Sequence, residues 1–277
     1  EVCLRWMTSE LKYLLAGLEI QEDRLLVIGI GVPGPVEHTT GRPANPPIMP
    51  GWDAFDIPER VNRDLQAKVL VDNEVNMMVL GERFMNFPDV ENLIFLKAAT
   101  GIGSGIIAGG MLQRGADGTA GDIGHVRALV GTDVACQCGN FGCLEAIAGA
   151  PAIIRSVNEA GLPIRNTSDL IDAARRSKVE AIRAVRQAGR DIGEVLSTCV
   201  SLLNPEIIVI GGSLSSAGEH LIAGIREVVY GRSTPLASEN LTIVQSRDSK
   251  GEIVGAAVMA IDYALDEATI DQMLEAI

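Results

Sequence analysis

The sequence predicts an α/β fold, and three observations carry that prediction. Aliphatic runs of strand length alternate with segments of helical period along the whole chain. Hydrophobic residues make up 47% of the 277 residues but aromatic residues only 4%, so the core is aliphatic. Several aliphatic runs also end in Gly or Pro, where a buried strand passes into a loop. That length and apolar content suffice for one large or two modest domains and exclude a disordered chain.

In chain order, residues 4–20 carry apolar residues at helical spacing and predict an amphipathic helix. The run R-L-L-V-I-G-I-G-V-P-G-P-V that follows predicts a buried strand, and the Pro- and Gly-rich stretch 37–58 a structured loop. A helix is expected near 59–66, then a β-branched strand K-V-L-V-D-N-E-V-N whose end presents polar groups, then a helix from Glu74 to Phe84. N-L-I-F-L-K-A-A-T-G-I-G-S-G-I-I predicts two strands joined by a Gly-rich turn, with an irregular segment over 111–150. Helical periodicity dominates from Pro151 to Leu203. After it come a buried strand from Pro205 into Gly211-Gly212, a helix at 216–229, a strand at 241–246 and a final helix at 251–265. This alternation implies layers with largely parallel strand pairing.

Composition narrows the function. With 23 Lys+Arg against 36 Asp+Glu, the formal charge of −13 argues against nucleic-acid binding through this chain's own surface. No apolar run approaches the roughly 18 residues of a membrane helix, so no membrane partner is expected. The opening E-V-C-L-R-W-M has neither an initiator Met nor a basic region of a secretory signal, which suggests a chain that begins inside a longer cytoplasmic gene product.

Of five cysteines, Cys136, Cys138 and Cys143 cluster, while Cys3 and Cys199 stand alone, a distribution unlike a secreted disulfide framework. His125 lies just upstream. One imidazole and three thiols have the composition of a closed Cys3His structural zinc site, with Gly139 and Gly142 supplying the turns that the tight Cys136-x-Cys138 spacing needs. The alternative is a set of buried free thiols. His38 and His220 are expected at the surface, Trp52 as a packing anchor or a ring that stacks on a bound ligand, and Met77 and Met78 in the core.

The segments G-I-G-V-P-G-P-V (29–36), N-P-P-I-M-P-G-W (45–52), V-D-N-E-V-N (71–76), A-T-G-I-G-S-G (99–105), G-T-A-G-D-I-G-H (118–125) and C-Q-C-G-N-F-G-C-L-E (136–145) together resemble the ROK family of sugar kinases and NagC/XylR-like transcriptional repressors. The resemblance covers nearly the whole chain. It implies the actin-like (ribonuclease H-like) two-lobed fold, with an N-terminal lobe over 1–96 joined by a C-terminal helix at 252–277. A C-terminal lobe would span 97–251 and contain a zinc-binding loop at 118–145. Kinase members open with an Asp-x-Gly-x-Thr phosphate hairpin that has no match before residue 29, so the expected N-terminal lobe is incomplete.

By the same resemblance, Asn73, Glu74, Asp122, His125 and Glu145 face a sugar or amino sugar, and Gly34 and Asn45 line the pocket, although a turn role explains those two nearly as well. Carboxylates suit a polyol because each accepts from two hydroxyls. The plainer readings are a helix-start carboxylate for Glu74 and solvated or capping acids for Asp122 and Glu145. Thr100, Gly101 and Gly103 resemble a phosphate loop, and Gly211 and Gly212 an adenosine segment, for Mg-ATP if the chain is a kinase; a turn between strands is the alternative. Two departures favour the repressor branch. Glu74 stands where family kinases place the Asp that activates the sugar hydroxyl, and Asp122 stands where they carry Glu. The expectation is therefore the effector-binding domain of a repressor, a homodimer or tetramer that meets DNA only through an N-terminal segment outside this chain, with an ATP-dependent sugar kinase using Glu74 as the rival.

Overall fold

The computed structural model describes residues 1–46, 49–247 and 250–275; Pro47 and Ile48 of the Pro-rich motif and the last two residues of the expected C-terminal helix lie outside the described residues. The first part of the chain carries α1 (Val2–Gly17), β1 (Val27–Val32), β2 (Val36–Glu37), β3 (Arg42–Pro43), α2 (Ile57–Asn62), β4 (Lys68–Asn73) and α3 (Glu74–Asn86). Next come β5 (Leu93–Ala98), β6 (Ile102–Ala108), β7 (Met111–Leu112), α4 (Leu144–Ala148), α5 (Ala150–Glu159), α6 (Thr167–Arg175) and α7 (Val179–Leu203). The remainder is β8 (Ile207–Gly211), α8 (Glu219–Arg232), α9 (Pro235–Ser238), β9 (Thr242–Gln245), α10 (Gly251–Ala264) and α11 (Glu267–Glu275). No described helix is long and apolar enough to cross a membrane.

The chain divides into two compact units, Glu1–Asn86 with Arg114–Thr119 and Ser249–Ile277, and Phe87–Gln113 with Ala120–Asp248. The first division falls between Asn86 and Phe87, ten residues before the position read from the sequence, because β5 pairs with β6 and β8 of the second unit.

In the first unit, β1 and β4 pair in parallel from Val27↔Lys68 to Val32↔Asn73. Their aliphatic side chains, with Ile57 and Val61 of α2 and Leu4 of α1, form one core. Asp56 caps α2 by accepting from the Glu59 amide at 2.8 Å, satisfying one of the free N–H groups at the helix start. Helix α10 packs on α3 so closely that a Cβ at Gly255 would stand 2.9 Å from Met77 Cα. Met77 is fully buried, Met78 half-buried, His38 exposed and His220 half-buried. Trp52 packs partly buried against this core with its ring 5.4 Å from that of Phe55.

The second unit is built on the sheet β7-β6-β5-β8-β9. Ile94, Leu96 and Ala98 of β5 and Ile208 and Ile210 of β8 meet Ile192 and Leu196 of α7 and Leu221 and Ile225 of α8 in its main core. The expected predominance of parallel pairing is only half met: β1–β4, β5–β8 and β8–β9 are parallel, while β2–β3, β5–β6 and β6–β7 are antiparallel. The reason is connection length. The link from β5 to β6 is three residues, which closes an antiparallel hairpin but is far shorter than a parallel crossover requires. The C-terminal helix is likewise two, α10 and α11, broken around Leu265 and Asp266. The segment 111–150 is not wholly irregular; it holds β7, a short 3-10 turn at Ile123–His125 and α4.

Candidate functional site

Strand β4 runs directly into α3, and the junction is Asn73-Glu74. Asn73 acts as the cap of α3: its Oδ1 accepts from the Val75 amide at 2.7 Å, and its Nδ2 donates to the Gly34 carbonyl at 2.8 Å. Gly34 has φ +96°, a left-handed conformation that favours glycine, and turns its carbonyl toward Asn73. Glu74 is the first residue of the helix, half-buried, where the helix dipole favours a carboxylate. Asn45 is exposed, also left-handed at φ +45°, and its backbone N–H donates to Asp53 Oδ1 at 2.7 Å. These four residues belong to the first unit.

The second unit gathers Asp122, His125, Glu145 and the cysteines. Asp122 and His125 flank the short turn Ile123–His125, and His125 Nε2 stands 4.0 Å from Asp122 Oδ1, too far for a hydrogen bond. Partial burial pushes the Asp122 carboxyl above the usual range, opposed by the His125 imidazole, while 41% of the side chain stays exposed. Glu145, in the first turn of α4, accepts the Ile102 amide through Oε2 at 3.1 Å and so ties α4 to the Thr100–Gly103 turn. Thr100 is exposed, and Gly101 and Gly103 are half-buried in the β5–β6 hairpin. Gly211 and Gly212 close β8, where a Cβ at Gly211 would lie within 3.0 Å of the Phe95 ring and one at Gly212 2.8 Å from the Ala98 carbonyl carbon. Close strand approach therefore explains that glycine pair without a nucleotide.

The donor atoms of His125, Cys136, Cys138 and Cys143 all lie within 4.8 Å of one another, so the four side chains can hold a metal ion. His125 Nδ1 is 3.7 Å from Cys136 Sγ, and Cys138 Sγ is 3.6 Å from Cys143 Sγ. Two thiolates bound tetrahedrally at about 2.3 Å from zinc stand about 3.8 Å apart, so the spacing suits that ion. The loop is folded by isolated bridges at Arg127↔Cys143 and Ala135↔Phe141, and both expected turn glycines are left-handed, Gly139 at φ +91° and Gly142 at φ +74°. Burial pushes the Cys143 thiol up to about 12 and raises Cys136, whereas the Asn140 backbone amide lowers Cys138. Three thiols in one cluster become thiolates together only beside a cation. The imidazole presents Nδ1 to the thiols and Nε2 toward Asp122, leaving one ring nitrogen on each side.

Sequence reading missed the polar groups beneath the β4–α3 junction. Asp72, whose side chain is 3% exposed, receives Arg114 Nε at 2.6 Å, the Asn73 amide at 2.7 Å and Asn76 Nδ2 at 2.7 Å. The four-residue spacing of Asp72 and Asn76 hinted at a pair on one side of a helix start, but nothing marked Arg114, 42 positions away.

A sequence model of the ROK family matches residues 1–263. A glucokinase of Halalkalibacterium halodurans is 31% identical over 228 residues, covering 77% of this chain and 69% of that protein. The xylose repressor of Caldicellulosiruptor bescii is 32% identical over 256 residues, covering 87% of this chain and 64% of that one. Among solved structures, a ROK family transcriptional regulator homologous to the E. coli MLC protein superposes with a TM-score of 0.80 at 27% identity, over 94% of this chain and 68% of that chain. The chain thus spans 64% to 69% of the length of these relatives. A family match over almost every residue, with the α/β architecture described above, makes this chain a member of the ROK family with its actin-like fold.

Proposed function

We propose that the chain is the effector-binding domain of a ROK-family transcriptional repressor that responds to a sugar or amino sugar in the cytoplasm. Asn73, Glu74, Asp122, His125 and Glu145 would contact the sugar, with Gly34 and Asn45 at the pocket wall. Binding would shift a homodimer or tetramer between arrangements of different DNA affinity, and DNA would be met by a segment outside this chain.

The observation that carries the regulator reading is Glu74, at the position where family kinases use Asp as base. Its extra methylene moves the carboxylate by about 1 Å relative to Asp, and a misplacement of that size costs on the order of a hundredfold in rate. A second feature supports it. The Ile102 amide, one of the donors a phosphate cradle in the Thr100–Gly103 turn would use, is taken by Glu145. The metal is read as zinc in a structural role. His125, Cys136, Cys138 and Cys143 would supply four ligands and leave no open position for catalysis, so the ion orients His125 and α4.

The 31% identity to a glucokinase favours a second reading, an ATP-dependent sugar kinase with Mg-ATP at Thr100–Gly103 and Gly211-Gly212 and Glu74 as base. A coupled phosphorylation assay on the full-length protein with D-glucose, D-xylose and N-acetyl-D-glucosamine separates the two. The repressor reading expects no turnover. Turnover near or above about 1 s⁻¹, within the usual enzyme range, that disappears in Glu74→Ala establishes the kinase instead.

A further inference from the structure

Asp72 is a carboxylate almost wholly withdrawn from water at the end of a central strand. Burying such a charge is costly unless it is paired and its remaining lone pairs are hydrogen-bonded. Here every demand is met. Oδ2 takes Arg114 Nε at 2.6 Å, and Oδ1 takes both the Asn73 amide and Asn76 Nδ2 at 2.7 Å. Asn76 is itself 2% exposed, so the arrangement is a closed polar cluster inside an aliphatic unit. Arg114 opens the segment Arg114–Thr119, which returns to the first unit between β7 and the Asp122–His125 turn. The same segment is anchored again by Gly118, where a Cβ would stand 3.3 Å from the Val36 carbonyl carbon.

The cluster lies directly beneath Asn73 and Glu74, the first unit's residues read as sugar-facing. Asp72 fixes the Asn73 backbone, and Asn73 in turn fixes the start of α3 through Val75 and reaches Gly34. We propose that Arg114 is a positioning residue for the Asn73–Glu74 junction, acting through Asp72. The guanidinium holds one carboxylate oxygen so that the other stays aimed at the Asn73 amide and Asn76. Loss of the arginine leaves a buried charge without its cation, and Asp72 then rotates toward solvent and releases the junction. The functional part of this assignment rests on the reading of Asn73 and Glu74 as sugar ligands; the positioning itself does not.

The test is amide hydrogen exchange on the full-length protein with Arg114→Ala and Arg114→Lys, read residue by residue. Arg114→Ala is expected to speed exchange at the Asn73 and Val75 amides at least tenfold, with amides of β1 and α10 changed by less than threefold. Arg114→Lys restores part of the protection, because an ammonium can pair with Asp72 without the planar fork. Unchanged exchange at Asn73 and Val75, or equal acceleration across the whole unit, overturns the proposal. Should the alanine variant fail to fold, Arg114→Lys is read alone, with at least threefold acceleration confined to the junction as the expected result and uniform or absent change as the refuting one. Titration with D-glucose, D-xylose and N-acetyl-D-glucosamine supplies the second readout. A sugar that binds the unaltered protein should bind Arg114→Ala at least tenfold more weakly, and equal affinity refutes a positioning role at the site. If none of the three binds the unaltered protein, the sugar reading fails, and exchange at Asn73 and Val75 decides the positioning.

Discussion

Gly142, one residue before the proposed metal ligand Cys143, offers the sharpest perturbation. Its φ is +74°, and a Cβ built there would stand 3.0 Å from Thr132 Cα and 3.5 Å from Arg127 Cγ. An L-residue held in the left-handed region costs about 1–2 kcal/mol. The Thr132 contact is with backbone, which has no flexible end to swing away, and overpacking of this kind adds about 1 kcal/mol. Gly142→Ala should therefore strain the folded loop by about 2–3 kcal/mol. The strain surfaces in one of two places. If the metal-free loop relaxes around the new methyl group, the full amount is lost from metal binding, and 2–3 kcal/mol is roughly 30- to 150-fold in affinity. If the loop cannot relax, the loss is seen as stability instead, about 2–4 °C in melting temperature per kcal/mol for a protein of this size. Zinc competition against a chromogenic chelator, paired with thermal unfolding of the zinc-loaded protein, measures both. Gly139→Ala is the control: it is also left-handed at φ +91° but has nothing within 4 Å of a Cβ, so only the conformational part applies. A Gly142→Ala protein that binds zinc within threefold of the parent and melts within about 1 °C of it refutes the reasoning.

Three further outcomes are expected. Glu145→Gln exchanges a charge-assisted acceptor of the Ile102 amide for a neutral one, so that amide should lose protection by roughly tenfold in hydrogen exchange; unchanged protection shows that Glu145 does not hold the turn. Burial raises the Asp191 carboxyl above its ordinary value, with Glu194 adding to the rise and Gln187 and Arg190 opposing it. A raised acid stabilises the fold fully only below its unfolded value of about 3.9 and loses that contribution as pH climbs through the folded value. Asp191→Asn should therefore gain melting temperature over the parent progressively as the pH rises above about 4, and a gain independent of pH contradicts this. In α7, a Cβ at Gly189 would collide with the Leu221 carbonyl oxygen and stand 3.1 Å from the Leu221 carbonyl carbon and 3.2 Å from Gly224 Cα. Gly189→Ala should lower stability in guanidinium by about 1–3 kcal/mol despite better helix propensity, and a neutral or stabilised variant would show that α8 moves away freely.

Much of the site could be read before any coordinates because its signals are local. The Cys136-x-Cys138 pair, Cys143 and the upstream His125 are close enough in sequence that a few turns must bring them together, and Gly139 and Gly142 do adopt the left-handed turns expected of them. The polar end of β4 is equally local, since an aliphatic strand that stops at Asp-Asn-Glu has to present those groups at a helix start. The Gly-rich turn from Ala98 to Ile102 is a local signal too, and the two strands it joins do pair as an antiparallel hairpin; the alternation of strand and helix by itself does not reveal the antiparallel pairs β2–β3 and β6–β7.

The amino-acid sequence by itself determined the alternation of elements, the aliphatic core and the candidate metal-ligand set, which depend on composition and short spacing, and its motifs carried the resemblance to the family. Tertiary structure alone decided which partners those groups take. It set Nδ1 of His125 toward Cys136 and Nε2 toward Asp122, gave Glu145 to the Ile102 amide 43 positions away, and brought Arg114 onto Asp72. The physical reason is reach. Backbone sterics and hydrophobic period act over a few residues, whereas a buried charge accepts whatever cation the packed chain delivers, and that choice is made only when the sheet register and the returning segment Arg114–Thr119 are in place.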